Sequence, residues 1–136
     1  MIEGLRSSNH CVFKLQFHLV LVTKYRRRCI TEPILERLCQ VFGTLLTKWG
    51  GALVEFNGEA DHVHLLLDLP PDARPSSLVN NMKTVSSRYI RRDFNAELQR
   101  VHRKPVFWSR SYCLVSCGGA PLELLKQYIA GQAGVE

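Results

Sequence analysis

Asp61-His62-Val63-His64-Leu65-Leu66-Leu67-Asp68 is an apolar, strand-like run that carries two histidines two residues apart. Side chains alternate faces along a strand, so His62 and His64 project to one side while Val63, Leu65 and Leu67 project to the other. One side is then a core face. The other holds two imidazoles about 7 Å apart, a spacing from which both reach a single metal ion. The pattern also suits an ordinary strand with one hydrogen-bonded and one solvated histidine, so the neighbouring segments decide.

Residues 52–57 alternate as well, with Val54 and Phe56 on one face and Glu55 and Asn57 on the other. Asn57-Gly58-Glu59-Ala60 reads as a hairpin turn, which makes this strand an antiparallel neighbour of the histidine strand. Residues 11–23 predict a long first strand. Cys11, Phe13, Leu15, Phe17, Leu19 and Leu21 form its core face, and Lys14, Gln16 and His18 start its polar face. Aligning the apolar faces gathers Glu55, Asn57, His62 and His64 beside Lys14, Gln16 and His18. One face of the sheet then packs on helices and the other collects groups capable of chemistry. The first strand runs into Lys24-Tyr25-Arg26-Arg27-Arg28, a basic cluster suited to binding phosphates and stacking a base, or to capping a solvated strand end.

Two long helices separate these strands. Thr31 is a good N-cap, Pro33 sits in the first turn, and Ile34, Leu35, Leu38, Val41, Phe42, Leu45, Leu46 and Trp49 recur at helical spacing before Gly50-Gly51. The stiff loop Pro70–Pro75 leads to a second helix capped at Ser76 or Ser77, buried through Leu78, Val79, Met82, Val85, Ser86, Tyr89, Ile90 and Phe94. Lys83, Arg88, Arg91 and Arg92 lie largely outside that stripe and suit either phosphate contact or a solvated face. Residues 97–105 read as polar linker and 106–116 as a further strand. Gly118-Gly119 breaks it, and Pro121 opens a last helix bearing Tyr128 and Gln132 four residues apart on one face. The first six elements follow β-α-β-β-α-β order, which predicts an α+β, ferredoxin-like antiparallel sheet with helices on one face, plus a C-terminal helix carrying the tyrosine.

The chain has 136 residues and a formal net charge of +6, which fits one domain spanning 1–136 and favours a polyanionic partner, nucleic acid first. No apolar run has membrane-spanning length and the start is too polar for a signal peptide, so a soluble, cytoplasmic protein is expected. Five scattered cysteines without a Cys-x-x-Cys pair read as neither a disulfide framework nor a zinc knuckle; Cys113 and Cys117, sharing one strand face, read as buried thiols.

Taken together, Phe17–Arg27, Asp61–Leu66 and the segment from Phe107-Trp108 through Ser111-Tyr112 and Gly118-Gly119 to Tyr128–Gln132 resemble the single-tyrosine HUH transposases of insertion sequences that move as single-stranded DNA. The resemblance covers most of the chain. It implies a DNA strand transferase with His62, His64 and Gln132 as ligands of a magnesium or manganese ion and Tyr128 as the nucleophile. It further implies a homodimer in which the tyrosine helix can complete the partner's site, acting on single-stranded DNA with hairpins at the element ends and on no small-molecule substrate. Lys24, Tyr25, Arg26, Arg27, Arg88, Arg91 and Arg92 are the DNA-contact candidates. Replication initiators usually place a lysine three residues after the tyrosine, where this chain has Gly131. Relaxases place the tyrosine near the N-terminus and add a third histidine, and neither feature is evident. The contrasting expectation is a catalytically inert single-strand binder that uses Tyr25, Trp108 and Tyr112 for stacking. A domesticated relative acting on chromosomal hairpin repeats shares all these features.

Overall fold

The computed structural model describes residues 5–8, 10–102, 104–117 and 122–131, with the side chains of 122–125 outside the description. Strands β1 (Arg6–Ser8) and β2 (Cys11–Phe13) form a small hairpin. Strand β3 (Gln16–Val22), helix α1 (Glu32–Lys48), strands β4 (Ala52–Gly58) and β5 (His62–Asp68), and helix α2 (Pro75–Asp93) follow. The chain continues through a short helix α3 (Asn95–Leu98), strand β6 (Cys113–Ser116) and helix α4 (Leu122–Gly131). The main sheet is antiparallel with order β4-β5-β3-β6, the arrangement expected of a ferredoxin-like β-α-β-β-α-β chain.

The sheet's two faces do different work. Leu19 and Leu21 of β3 and Val63, Leu65 and Leu67 of β5 are fully buried against Ile34, Leu38, Phe42 and Leu46 of α1 and Leu78, Val79 and Met82 of α2. Removing a Leu, Ile, Val or Phe side chain from water contributes about 1.5–3 kcal/mol each, so this layer carries most of the stability. The opposite face buries Val20 and Val22, against which Tyr128 and Ile129 of α4 pack. The α1–α2 layer and α4 therefore sandwich the sheet, and α4 lies over the face that bears the histidines.

Several expectations change. The long first strand is broken at Lys14-Leu15: β2 pairs with β1 and only β3 joins the main sheet, leaving Leu15 and Cys11 exposed. A register shift between Leu53 and Glu55 makes Val54 a bulge, 46% exposed, so Leu53 rather than Val54 packs with Phe56 on the core. Helix α2 starts at Pro75, ahead of both serines, with Arg74 as N-cap; a proline at the first helical position presets φ and lacks only an N–H that would be unpaired anyway. The expected linker 97–105 contains the end of α3 and the buried His102.

Residues 106–112 are not strand. Phe107 and Trp108 are adjacent yet both buried in the α1–α2 layer, edge to face at 4.6 Å, which an alternating strand does not permit. The indole N–H of Trp108 donates to Ser86 Oγ at 2.9 Å. A single bridge, Thr23 to Trp108, is what remains of the pairing. Cys117 is exposed and Cys113 half-buried, so neither is the fully buried thiol expected there. No helix among the described residues is long and apolar enough to cross a membrane.

Candidate active site

Strand β5 sets both histidines on the α4 side of the sheet, since Val63 and Leu65 take the core side. His62 stands opposite Val22 and His64 opposite Val20 and Asn57. Together they line a cleft of about 220 Å³ whose remaining wall includes Lys126 and Ile129 of α4.

Each imidazole has a defined partner. His62 Nδ1 lies 2.8 Å from Asp61 Oδ1. A carboxylate there fixes the tautomer with the proton on Nδ1 and leaves Nε2 as the lone-pair nitrogen. His64 Nε2 lies 2.9 Å from His18 Nδ1, and the two rings stack with centroids 5.1 Å apart. Such a pair shares one proton, one ring donating and the other accepting. Burial, and then the charge of His18, push the His64 pKa below the ordinary imidazole value, so His64 is neutral at neutral pH.

Asp61 is the hinge of this arrangement. It is 5% exposed. Its Oδ2 accepts from Arg26 Nε at 2.6 Å, and its backbone carbonyl accepts from Thr23 N at 3.0 Å and Thr23 Oγ1 at 3.2 Å. Burial pushes its carboxyl pKa up, but hydrogen bonds from His62 and Arg26 outweigh burial and hold it below the ordinary value. Asp61 is the residue whose role the spacing of the histidines left unread; its position immediately before His62 was the available signal.

The histidine pair fits a divalent cation. Both rings share a face, His64 is kept in the neutral, ligating form, and His62 is held in orientation by a carboxylate. Among the described residues no group of three or more His, Cys, Asp or Glu side chains gathers in metal-binding geometry. A cation here therefore needs oxygen donors beyond the histidines. Gln132, expected as the third ligand, lies outside the described residues. A ligand role for His64 Nε2 requires its contact with His18 to open.

Tyr128 packs against Val20 and Val22, and its hydroxyl donates to Ser111 Oγ at 3.1 Å. It is not among the residues lining the histidine cleft. Residues two apart on a helix point about 200° apart, so with Lys126 at the histidines Tyr128 is directed elsewhere.

The basic cluster Lys24–Arg28 is divided between two sides. Tyr25 and Arg26 both have left-handed backbone, φ 57° and 54°, a conformation that costs a non-glycine residue about 1–3 kcal/mol. The turn is held by Lys24 N bonding Phe107 O at 2.9 Å and Thr23 Oγ1 bonding Arg27 O at 2.6 Å. Arg26 turns to Asp61 while Lys24 and Arg27 flank the exposed Tyr25 ring at 5.2 and 5.7 Å. Lys24, Tyr25 and Arg27 line a cavity of about 600 Å³. A neighbouring cavity of about 660 Å³ is lined by Arg88, Arg91 and Arg92, and both share Gln99, His102, Lys104 and Val106. The two form one groove that also takes in Arg100, and among the described residues no carboxylate lines it. The fold thus joins six of the seven cluster residues proposed for DNA contact, and adds Arg100 and Lys104; Arg26 stands apart. Within the groove Arg92 is paired with Asp93 at 2.8 Å and Arg91 Nε donates to Ser87 Oγ at 3.1 Å.

Known proteins share this sequence and fold. The family described as "Transposase IS200 like" matches residues 11–132. The transposases for insertion sequence element IS200 of Salmonella typhimurium and Salmonella typhi are each 29% identical over 121 residues, covering 83% of this chain and 74% of theirs. A crystal structure from Deinococcus radiodurans, provisionally assigned as a transposase, superposes with a TM-score of 0.86 at 28% identity over 96% of this chain and 99% of that one. A REP-associated tyrosine transposase solved bound to a REP hairpin shares the fold alone, at a TM-score of 0.54 and 10% identity over 91% of this chain and 68% of that one. The match to nearly the full length, on a fold that sets two histidines and a tyrosine helix on one face of the sheet, places this chain in the IS200-like transposase family.

Proposed function

We propose that this chain, acting as one catalytic domain over residues 1–136 in the cytoplasm, cleaves and rejoins single-stranded DNA through a tyrosine–phosphate intermediate at insertion-sequence ends that carry hairpins. The observation that carries the reading is the pairing of His62 and His64 on one face of β5, with Asp61 behind them and the tyrosine helix packed over the same face.

His62 and His64, joined by Gln132, would hold a magnesium or manganese ion. When bound, such an ion neutralises charge on the scissile phosphate. The residues of the chain do the rest. Asp61 fixes the orientation of the His62 ring, and His18 holds the His64 ring until ligation opens their contact. The Tyr128 oxygen, having lost its proton, attacks phosphorus; the bond from phosphorus to the 3′-oxygen breaks, and that oxygen takes up a proton as a free 3′-hydroxyl. The 5′-phosphotyrosine ester preserves the linkage, so attack on it by another 3′-hydroxyl rejoins DNA without ATP. For this to occur Tyr128 must leave Ser111 and meet a phosphate at a histidine pair, either by movement of α4 or by exchange of helices within a homodimer.

The decisive experiment is covalent trapping with labelled single-stranded DNA carrying the element's own ends. Manganese or magnesium yields a shifted band on a denaturing gel, and chelation with EDTA removes it. Tight hairpin binding with no band under any metal would instead support the inert binder.

The cationic groove is read as the DNA backbone contact. Replacing Arg88 and Arg91 together by glutamine weakens binding to hairpins of unrelated sequence alike, and lowers the dependence of log affinity on log salt by about 2. Sequence-selective loss in a filter-binding titration would contradict a phosphate role.

A further inference from the structure

Among the described residues Tyr25 is the only phenylalanine, tyrosine or tryptophan that is exposed, at 52%. Its backbone, like that of Arg26, is left-handed, and little packing offsets that strain. What lies over the ring is charge, Lys24 Nζ at 5.2 Å and the Arg27 guanidinium at 5.7 Å from its centroid. Hydrogen bonds hold the turn in this conformation: Lys24 N donates to Phe107 O, Thr23 Oγ1 to Arg27 O, and Arg26 Nε to Asp61. A fixed, strained frame that presents an open ring beside two cations suits an outside partner with a flat face and negative charge. The turn also divides two surfaces. Lys24, Tyr25 and Arg27 line the cationic groove, whereas Arg26, the next residue after Tyr25, lines a recess of about 370 Å³ together with His62. A strand that leaves the groove for the histidines passes this turn.

We propose that Tyr25 is a stacking platform for one unpaired base, at the point where the strand leaves the groove for the histidines, and that Lys24 and Arg27 meet the phosphates on either side of that base. The inference rests on the reading of the groove as a DNA contact, and it adds which part of the DNA is held at this end: single strand, not stem. A base inside a duplex has both faces covered by its neighbours, so only an unpaired one reaches the ring. Every base has a π face, so the platform selects for strandedness and tolerates any sequence. By pinning one nucleotide on a turn tied to Asp61, it sets the register of the strand that runs on to His62.

The test uses the full chain, Tyr25→Asn and Tyr25→Phe. The probes are element-end oligonucleotides with a single abasic site placed in turn at each unpaired position between stem and cleavage junction, and a blunt duplex of the stem. Asparagine tolerates left-handed backbone, so Tyr25→Asn melts close to wild type. It weakens binding of the intact end about 5- to 100-fold, leaves the salt slope unchanged because no charge is removed, and leaves the blunt duplex unaffected. Tyr25→Phe binds as wild type does, since the ring face makes the contact. One abasic position reproduces the loss in the wild-type chain, and combining it with Tyr25→Asn costs no more than either change alone, as expected of two halves of one contact. Equal loss on the blunt duplex, a reduced salt slope, or losses that add at every abasic position would each overturn the inference. If replacing Arg88 and Arg91 lowers the salt slope while Tyr25→Asn changes nothing, the groove reading stands and the platform falls. If the wild-type chain binds no single-stranded end, both fall.

Discussion

Tyr128→Phe abolishes the covalent adduct while leaving fold and DNA affinity near those of wild type. The substitution removes one oxygen from a ring whose packing on Val20 and Val22 is retained. What the folded chain loses is the hydrogen bond to Ser111 Oγ at 3.1 Å. A hydrogen bond of this kind contributes about 0.5–1.5 kcal/mol, small enough for the variant to remain folded. The loss in covalent attachment is about 10³-fold or more, because removal of a nucleophile eliminates the step rather than slowing it. A denaturing gel measures the adduct, and gel shift and thermal melting on the same preparation confirm binding and fold. If the band persists, the nucleophile is another side chain. Ser111 is the first to examine, since it already contacts the Tyr128 hydroxyl.

The prediction also bears on how much of the site was legible in the sequence. Period-2 alternation put His62 and His64 on one face, and the helical stripe of α1 was read nearly residue for residue, because both signals come from burial of contiguous apolar positions. Where a residue's surroundings depend on chain segments far away, the sequence was silent or misleading. The pairing of His18 with His64 spans 46 positions and depends on the β3–β5 register. Val54 alternates correctly for a core position, yet the bulge exposes it, and nothing local announces a bulge. Phe107 and Trp108 look like strand residues because aromatics favour strands, but tertiary packing against Phe42 and Ser86 overrides that preference. The direction of Tyr128 was equally hidden. Helical spacing in the sequence predicts Tyr128 and Gln132 on one helix face, and only the docking of α4 on the sheet reveals that Lys126 and Ile129 meet the histidines.

Asp61→Ala has the second largest expected effect, and it acts on stability and on metal affinity by separate routes. Its carboxylate joins Arg26 at 2.6 Å and His62 at 2.8 Å, and it is nearly inaccessible to solvent. Truncation leaves the Arg26 guanidinium, 28% exposed, without its acceptor in a turn already strained at Tyr25 and Arg26. A fully buried pair broken in this way costs about 3–5 kcal/mol, but partial exposure of Arg26 lets water replace part of the contact, so roughly 1–3 kcal/mol is expected. Thermal melting registers that as a fall of about 4–12 °C for a chain of this size. The second route is His62, which without its carboxylate partner can change tautomer and rotate, and manganese affinity falls about 10–100-fold. Asp61→Asn separates the two: its amide oxygen still accepts from His62 Nδ1, while its charge is lost to Arg26. It should therefore recover more metal affinity than stability. Calorimetric titration with manganese, alongside melting curves, resolves the pair. Equal metal binding by wild type and Asp61→Ala would remove Asp61 from the site and leave it a purely structural tie between β5 and the basic turn.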